Sequence, residues 1–300
     1  MNKENFYYKI ANIVFRIEGY WPELAQGRLK KYRIEEPQND AYDVRYIINS
    51  KCDNITMPKA VKSVEVNRRH WMLHEDGGYS MIDLIPEITD KIINRIDTNK
   101  DWSEIRVQLC SEEISGFDEK MRAYNSFGET LPFVLFERNG MVLHSSCIEY
   151  KGNAVLFSAP SGTGKSTHTR LWREYYPETN IINDDMPALR ILTNEQGEQI
   201  PYAFGTPWSG KTQTNSNINA PIRAIVFLKQ APENSIRRVT GAEAVFLVMQ
   251  AIRIATLEEQ MSASLDNTSQ MLKLIPTYEL SCNISKDAVE TVKKELFPEL

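Results

Sequence analysis

Residues 154–167 read AVLFSAPSGTGKST: a short apolar run, then a glycine-rich loop, then a lysine, a serine and a threonine. The run at 154–158 is typical of a buried strand, and residues from about 165 to 176 are typical of an amphipathic helix. The loop at 159–167 fits the pattern A/G-x-x-x-x-G-K-[ST], which between a strand and a helix indicates phosphate binding. A further strand is predicted at 180–183.

Each part of the loop suits a nucleotide phosphate. Gly162 and Gly164 let backbone amides turn inward as a nest for anionic oxygens, and the helix start adds its positive dipole end. Lys165 can reach the β- and γ-phosphates, and the Ser166 hydroxyl is a hard ligand suited to Mg²⁺. We therefore expect ATP and Mg²⁺ as cofactors. The expected nucleotide-binding residues are Ser161, Gly162, Thr163, Gly164, Lys165, Ser166 and Thr167.

Two adjacent carboxylates follow the next predicted strand. Asp184 and Asp185 come one predicted helix and one predicted strand after Lys165. They stand at the end of that strand, where open α/β sheets place their ligands. One could hold Mg²⁺ and the other could accept a proton from an attacking hydroxyl. The alternative is a solvated turn in which aspartate only shapes the backbone.

These motifs resemble the HPr kinase/phosphorylase family and its phosphoenolpyruvate-carboxykinase-like relatives. The run at 156–167 is similar to the kinase loop of that superfamily, and Asn183-Asp184-Asp185 is similar to its D-D motif. His144, on the strand before the loop, matches the family's histidine position by its spacing from Lys165, although Ser145 replaces the small residue that follows there. The resemblance covers about residues 130–280.

The resemblance implies both a fold and a set of roles. The expected fold class is mixed α/β or α+β, with a bent mixed sheet that carries the loop after a β-rich N-terminal domain. Lys165 and Ser166 would bind phosphates and metal, Asp184 would be the general base, and Asp185 would be a metal ligand. His144 would lie beside the reacting phosphoryl group; otherwise, it is a packed core residue. Hexamers in the family hint at a homo-oligomer.

Downstream, the sequence departs from true HPr kinases. The segment at 204–211 reads FGTPWSGK and resembles uncharacterised HPr-kinase-like proteins, some of them associated with modified-peptide biosynthesis. HPr itself is therefore not the expected substrate. The loop at 206–220 could gate the site or hold the acceptor, with Trp208, Ser209 and Lys211 as candidates; alternatively, Trp208 is a packing anchor. Arg223 could stabilise transferring charge, or it is a solvated surface arginine.

Composition sets the limits of these expectations. The 300 residues contain 35 Lys and Arg and 40 Asp and Glu, for a formal charge of −5, and 42% of residues are hydrophobic. An acidic balance argues against a generic nucleic-acid binder. No apolar run approaches the ~20 residues of a membrane span, and no signal-peptide core follows the N-terminus, so we expect a cytoplasmic protein without membrane or nucleic-acid partners. The four cysteines lack a C-x-x-C spacing and predict reduced thiols.

The pattern along the chain predicts two domains, a β-rich domain at 1–130 that recognises the acceptor and a kinase-like domain at 131–300. Alternating residues predict strands near 11–17, 44–48, 61–66 and 70–73. Isoleucine spacing predicts a helix over 84–97 with Asp83 as N-cap and Pro86 in its first turn, and a second helix is predicted at 118–128. A hairpin is predicted from 132–137 and 141–150, turning at Asn139-Gly140.

In the second domain, the pattern predicts a hairpin formed by residues 187–192 and 199–204, and it predicts a strand at 222–229. Helices are predicted at 241–255, 257–274 and 285–296.

Together the sequence predicts an ATP- and Mg²⁺-dependent kinase that transfers the γ-phosphoryl group to a hydroxyl, foremost Ser or Thr of a peptide or protein. Two alternatives stay open. One is a kinase for the hydroxyl of a small molecule, and the other is a nucleotide-binding regulatory module with negligible turnover.

Overall fold

The computed structural model describes residues 5–66, 68–85, 89, 91–111, 118–252 and 258–299. The chain divides into two compact units, Met1–Glu137 with Ile254–Met261 and Arg138–Arg253 with Ser262–Leu300. Both are built on mixed sheets, and the first is rich in strands, so the expected mixed α+β class and β-rich N-terminal region are confirmed. Within the described ranges, no helix combines the length and apolar character needed to cross a bilayer.

The first unit is a nine-stranded sheet in the order β3-β1-β2-β4-β9-β8-β7-β6-β5. Strands β2, β4 and β9 run parallel to one another, and the other neighbours are antiparallel. Its elements are β1 Phe6–Ile10, β2 Ile13–Gly19, α1 Glu23–Arg28, β3 Arg33–Ile34, β4 Val44–Cys52, β5 Lys62–Val66, β6 Arg69–Leu73, β7 Tyr79–Leu84, β8 Ile92–Thr98, β9 Glu104–Cys110 and α2 Glu119–Phe136.

Helix α2 provides the aromatic centre of this unit's core. Its residue Phe127 is fully buried and lies with its ring 4.9 Å from that of Phe15 and 5.1 Å from that of Tyr46. The helix begins at a standard cap, where the carboxylate of Asp118 accepts a hydrogen bond from the backbone amide of Lys120. One buried helix therefore closes one face of the parallel strands.

The helix predicted over 84–97 is wrong. Strand β7 ends at Leu84 and Ile92–Thr98 form β8, while Pro86 lies outside the described residues. Asp83 is not a cap but a strand residue that pairs with Arg69. Isoleucines at helical spacing also suit a strand, because β-branched side chains pack well on a pleated surface, and pairing with β7 and β9 decides the outcome.

The predicted hairpin over 132–150 is also wrong in its first arm, and its second arm, predicted as one strand over 141–150, is two strands at 140–142 and 145–150. Residues through Phe136 extend α2, with Pro132 inside the helix, so the helix predicted at 118–128 is longer than expected. Asn139 makes the turn with a positive φ of 54°. The next strand then pairs with a strand formed by residues 188–193 instead of folding back on the apolar run.

The second unit contains β10 Gly140–Val142, β11 Ser145–Tyr150, β12 Asn153–Ser158, α3 Lys165–Tyr175, β13 Asn180–Asn183, β14 Ala188–Thr193, β15 Gln199–Phe204, β16 Asn219–Gln230, β17 Ser235–Val239, α4 Gly241–Ala251, α5 Glu258–Leu274 from Ser262 onward, β18 Thr277–Cys282 and α6 Lys286–Leu296. The strand at 180–183, the hairpin β14–β15, the strand near 222–229 and the three C-terminal helices are confirmed. Residues 253–255 and 257 of the predicted helices lie outside the described residues.

The long strand β16 organises this unit's sheet, whose main path runs β10-β14-β15-β16-β12-β11-β13. Its first residues pair antiparallel with β15, and the rest pairs parallel with both β12 and β18. Because parallel strands end at one edge, Ser158 of β12 lies beside Phe227 of β16, which lies beside Glu279 of β18. The glycine-rich loop leaves the sheet at this edge.

Candidate functional site

The glycine-rich loop joins β12 to α3 through backbone conformations that glycine adopts most easily. Gly162 and Gly164 have φ values of 82° and 118°. Gly164 caps α3, and no side chain bonds the first amides of the helix. Backbone amides at a helix start can donate hydrogen bonds to an anion, and the positive end of the helix dipole attracts it. Ser161, Gly162 and Ser166 are exposed beside them.

Lys165 is folded back over the start of this loop. Its Nζ donates a hydrogen bond to the carbonyl oxygen of Ala159 at 2.8 Å, and the residue is only 9% exposed. Removal from water lowers the pKa of Lys165, an effect that the carboxylates of Asp185 and then Asp184 partly oppose. The ammonium group is therefore poorly solvated and close to the acidic pair.

His168 belongs to the first turn of α3 but packs in the core. Its ring centroid lies 4.6 Å from that of Phe157, and its Nε2 accepts a hydrogen bond from the indole N–H of Trp172 at 3.3 Å. The residue is 3% exposed, and this burial lowers the pKa of His168 to about 4. It is a neutral core histidine under ordinary conditions.

The acidic pair is held by a buried asparagine that the sequence analysis did not select. The Oδ1 of Asn183 accepts hydrogen bonds from the backbone amides of Asp185 at 2.8 Å and Met186 at 2.7 Å. Its Nδ2 donates to the carbonyl oxygen of Thr206 at 2.9 Å. Asn183 thus fixes the turn after β13, which aims the two carboxylates.

Asp184 connects to the first turns of α3 through hydroxyl groups. The hydroxyl of Ser146 donates to the carboxylate of Asp184, and it lies 3.0 Å from the hydroxyl of Thr169. Thr169 in turn donates to the carbonyl oxygen of Ser166 at 3.2 Å. Ser146 and Thr169 are buried, so this chain holds Asp184 on the helix side of the site.

Asp185 instead faces His144. The Nε2 of His144 lies 3.3 Å from the Oδ1 of Asp185, and the side chains are 41% and 28% exposed. The backbone amide of His144 donates to the carbonyl oxygen of Ala251 at 2.8 Å, and the hydroxyl of Ser158 donates to the carbonyl oxygen of His144 at 2.9 Å. His144 is therefore not a packed core residue but half of a solvent-accessible pair.

The segment 205–218 packs over the acidic pair. A Cβ on Gly205 would lie 1.8 Å from the carbonyl oxygen of Ser216, so this position requires glycine, and a Cβ on Gly210, where φ is 63°, would lie 3.1 Å from the Cβ of Asp185 and would press on that side chain. The candidates Trp208 and Ser209 are buried in it. The third candidate of this segment, Lys211, is exposed.

Arg223 does not join the site. Its Nε donates to the carbonyl oxygen of Leu296 at 2.7 Å, and its guanidinium lies 5.5 Å from the ring centroid of Phe297. It stands on β16 beside the start of β12, at the end opposite the loop. Arg223 therefore anchors the C-terminal segment.

Among the described residues, two cavities adjoin the loop. One of about 920 Å³ borders its first half and includes the side chains of His144, Phe227, Lys229 and Leu247. The other, of about 510 Å³, borders Gly164 and the first turns of α3, and reaches Cys282 and Ile284. Both volumes lie within the ~300–1,000 Å³ typical of sites for small ligands.

Among the described residues, no group of three or more His, Cys, Asp or Glu could hold a metal ion. Any divalent cation here would therefore rely on few protein oxygens. The hydroxyl of Ser166 and the carboxylate of Asp184 are hard oxygen donors on the helix side of the site, which is the ligand type that Mg²⁺ takes alongside water and phosphate oxygens.

Comparison with known proteins identifies one family. The model of the SynChlorMet cassette protein ScmC matches residues 118–297. No curated protein matches the chain. Among solved structures, the Hpr(Ser) kinase/phosphatase from Coxiella burnetii is similar at a TM-score of 0.30 and 7% identity, over 53% of this chain and 94% of that chain. The resemblance to HPr kinases is therefore distant.

Proposed function

The chain belongs to the ScmC family of SynChlorMet cassette proteins, and from the geometry of its site we propose that it is an ATP- and Mg²⁺-dependent phosphotransferase. The acceptor is a hydroxyl group, foremost that of Ser or Thr in a peptide or protein. In this proposal the loop at 159–167 is a P-loop.

One observation carries the proposal. A glycine-rich loop with a desolvated lysine stands at the same sheet edge as two carboxylates and a histidine. Lys165 lies near enough to Asp184 and Asp185 for their charges to act on its pKa, and Asp185 contacts His144. Phosphoryl transfer needs these parts together: cationic and amide donors for the phosphates, and a base for the attacking hydroxyl.

The donor phosphates bind at the loop. The amides at the start of α3 point at the phosphate oxygens, and Lys165 exchanges its contact with Ala159 for the β- and γ-phosphates. Since burial already strips water from this ammonium group, its attraction for phosphate is little screened. Ser166 and Asp184 would hold Mg²⁺, which when bound neutralises developing phosphate charge.

The general base is Asp185, paired with His144. Asp184 already accepts a hydrogen bond from Ser146 and is directed toward α3, whereas Asp185 and His144 are both accessible to solvent. This assignment reverses the expectation that Asp184 is the base and Asp185 the metal ligand. A carboxylate beside an imidazole can take the proton of a hydroxyl and share it with the ring.

Mass spectrometry tests the proposal. The protein is incubated with Mg·ATP and candidate acceptors, including peptides encoded beside its gene and small-molecule alcohols. Wild type should add one phosphoryl group. Asp185→Asn should reduce transfer by about 10²-fold or more while ATP still binds, and Lys165→Ala should weaken ATP binding. Arg223→Gln, away from the site, is the matched control and should transfer normally.

The outcomes separate the alternatives. A module that only binds nucleotide would bind ATP and be nearly indifferent to Asp185→Asn, because it has no transfer step to lose. A small-molecule kinase would phosphorylate alcohols but no peptide. If ATP affinity is the same in wild type and Lys165→Ala, the proposed role of the loop is wrong.

A further inference from the structure

We infer that the two cavities beside the loop divide the substrates between them: the smaller cavity takes the nucleoside of the donor, and the larger cavity takes the acceptor. This inference rests on the proposed function, since it assumes that the loop binds a nucleoside triphosphate. It adds a nucleoside site that includes Cys282 and Ile284.

The direction of the phosphate chain follows from the two ends of the loop. The Nζ of Lys165 reaches the carbonyl oxygen of Ala159, at the loop's start, and this lysine binds the β- and γ-phosphates. Ala159 lines the larger cavity, whereas Thr167 lines the smaller one. The γ-phosphate therefore lies toward the larger cavity and the α-phosphate toward the smaller.

The position of His144 and Asp185 supports the same direction for the phosphate chain. His144, which contacts Asp185, lines the larger cavity and not the smaller one. A hydroxyl attacking the γ-phosphate in line must lie near its base, on the side opposite the leaving nucleotide. The acceptor therefore enters from the larger cavity.

A side-chain contact separates the two spaces. The Nε2 of Gln230 donates a hydrogen bond to the carbonyl oxygen of Thr163 at 3.1 Å. Both residues, together with Leu228, line both cavities. This contact joins the end of β16 to the middle of the loop, so it forms a wall between the spaces.

The smaller cavity has the chemistry of a nucleoside site. Its walls combine the apolar side chains of Leu171 and Leu228 with the thiol of Cys282, which suits the faces of a base. Ile284 stands at this cavity with 75% of its surface exposed, the largest exposure of the large apolar residues described. A bound base would cover it.

Thiol labelling of the wild-type protein tests the inference first. Iodoacetamide should modify the half-buried Cys282, and ADP at about a hundred times its Kd should slow this at least tenfold. Pyrophosphate, which occupies the loop without a nucleoside, should leave the rate within about twofold. Cys52 is also partly buried but belongs to the other compact unit, so its labelling is the internal control.

A matched pair of variants tests it again. Ala231 lines only the smaller cavity and Leu247 only the larger. Ala231→Trp should weaken ADP binding at least tenfold and leave pyrophosphate binding within about twofold, whereas Leu247→Trp should keep ADP affinity and lose phosphoryl transfer. Ile284→Ser, an exposed change compatible with folding, should weaken ADP binding a few-fold.

The results distinguish this inference from the function on which it rests. If ADP fails to slow labelling of Cys282, or if pyrophosphate slows it equally, the smaller cavity is not the nucleoside site. If Leu247→Trp weakens ADP binding and Ala231→Trp does not, the assignment is reversed. If the wild type binds neither ADP nor pyrophosphate, the proposed function itself is wrong.

Discussion

His168 should make the second unit sensitive to acid. Its folded pKa is about 4 because burial disfavours the charged ring, while an unfolded histidine has its ordinary value of 6.5. Between these values the unfolded chain binds more protons than the folded one. The stability is therefore fully present above pH 6.5 and is lost as the pH falls toward 4.

The size of the effect follows from the two pKa values. Relative to neutral pH, linkage gives a loss of about 2 kcal/mol by pH 5 and about 3 kcal/mol by pH 4 from this one group. Other titrating groups also make the free energy of unfolding depend on pH. The quantity to measure is therefore the difference between wild type and a variant that cannot titrate at this position.

The assay is urea unfolding at pH 7.5, 6, 5 and 4.5 of wild type and His168→Gln. The variant should be less stable at pH 7.5, because packing against Phe157 and the hydrogen bond from Trp172 are changed. The difference in unfolding free energy between wild type and variant should become smaller as the pH falls. His70→Gln, a partly exposed histidine in the first unit, controls for removing a histidine. A gap that does not change with pH would refute the buried, neutral histidine.

Three further predictions concern the site. ADP binding should take up a proton at alkaline pH, because burial lowers the pKa of Lys165 in the free protein and phosphate favours its ammonium form; affinity then falls as pH rises, as calorimetry in two buffers would show, and binding without proton uptake would contradict this. Gly205→Ala should cost about 3 kcal/mol in urea unfolding because its Cβ would lie 1.8 Å from the carbonyl oxygen of Ser216, whereas Gly27→Ala, with open space around it, should cost nothing. Asn183→Ala should lower stability by roughly 2 kcal/mol and reduce phosphoryl transfer more than ADP binding; equal transfer would deny Asn183 its positioning role.

Local chemistry made the loop predictable. Glycines, a lysine and a serine at fixed offsets after an apolar strand depend little on the rest of the fold, so the strand and helix around 154–167 lie where the sequence predicts. The sequence singled out His144 as a candidate, but its contact with Asp185 was not predicted. The sequence could not show how Asp184 and Asp185 differ in their partners, on which our proposed assignment of base and metal ligand rests, because the hydroxyls of Ser146 and Thr169 that direct Asp184 come from other elements.

The features that could not be predicted from the sequence depend on contacts between residues far apart in the chain. Apolar runs such as 133–136 suit a strand and a buried helix equally, and only the packing of α2 on the sheet selects the helix. Asn183 carried no signal beyond its place before two aspartates, since the carbonyl oxygen that its Nδ2 bonds belongs to Thr206, 23 residues further along the chain. Arg223 is the opposite case: its charge made it a candidate for the site, but its guanidinium bonds the C-terminal segment at Leu296 instead.

Because β16 pairs with both β12 and β18, the sheet around the loop can form only after β16 has been synthesised. When residues up to 204 have left the ribosome, the loop, the histidine, both aspartates and the neighbouring strand β11 exist, but β16, the strand on the other side of β12, does not. Gln230, which fixes the loop at Thr163, is 67 residues further along the chain than its partner. Because long-range parallel pairing forms late, a nascent or truncated chain carries the candidate reactive groups and lacks the contact between Gln230 and Thr163, which in our inference separates the two substrates. Nucleotide affinity should therefore appear only after β16 is inserted, which makes it a reporter of completed folding.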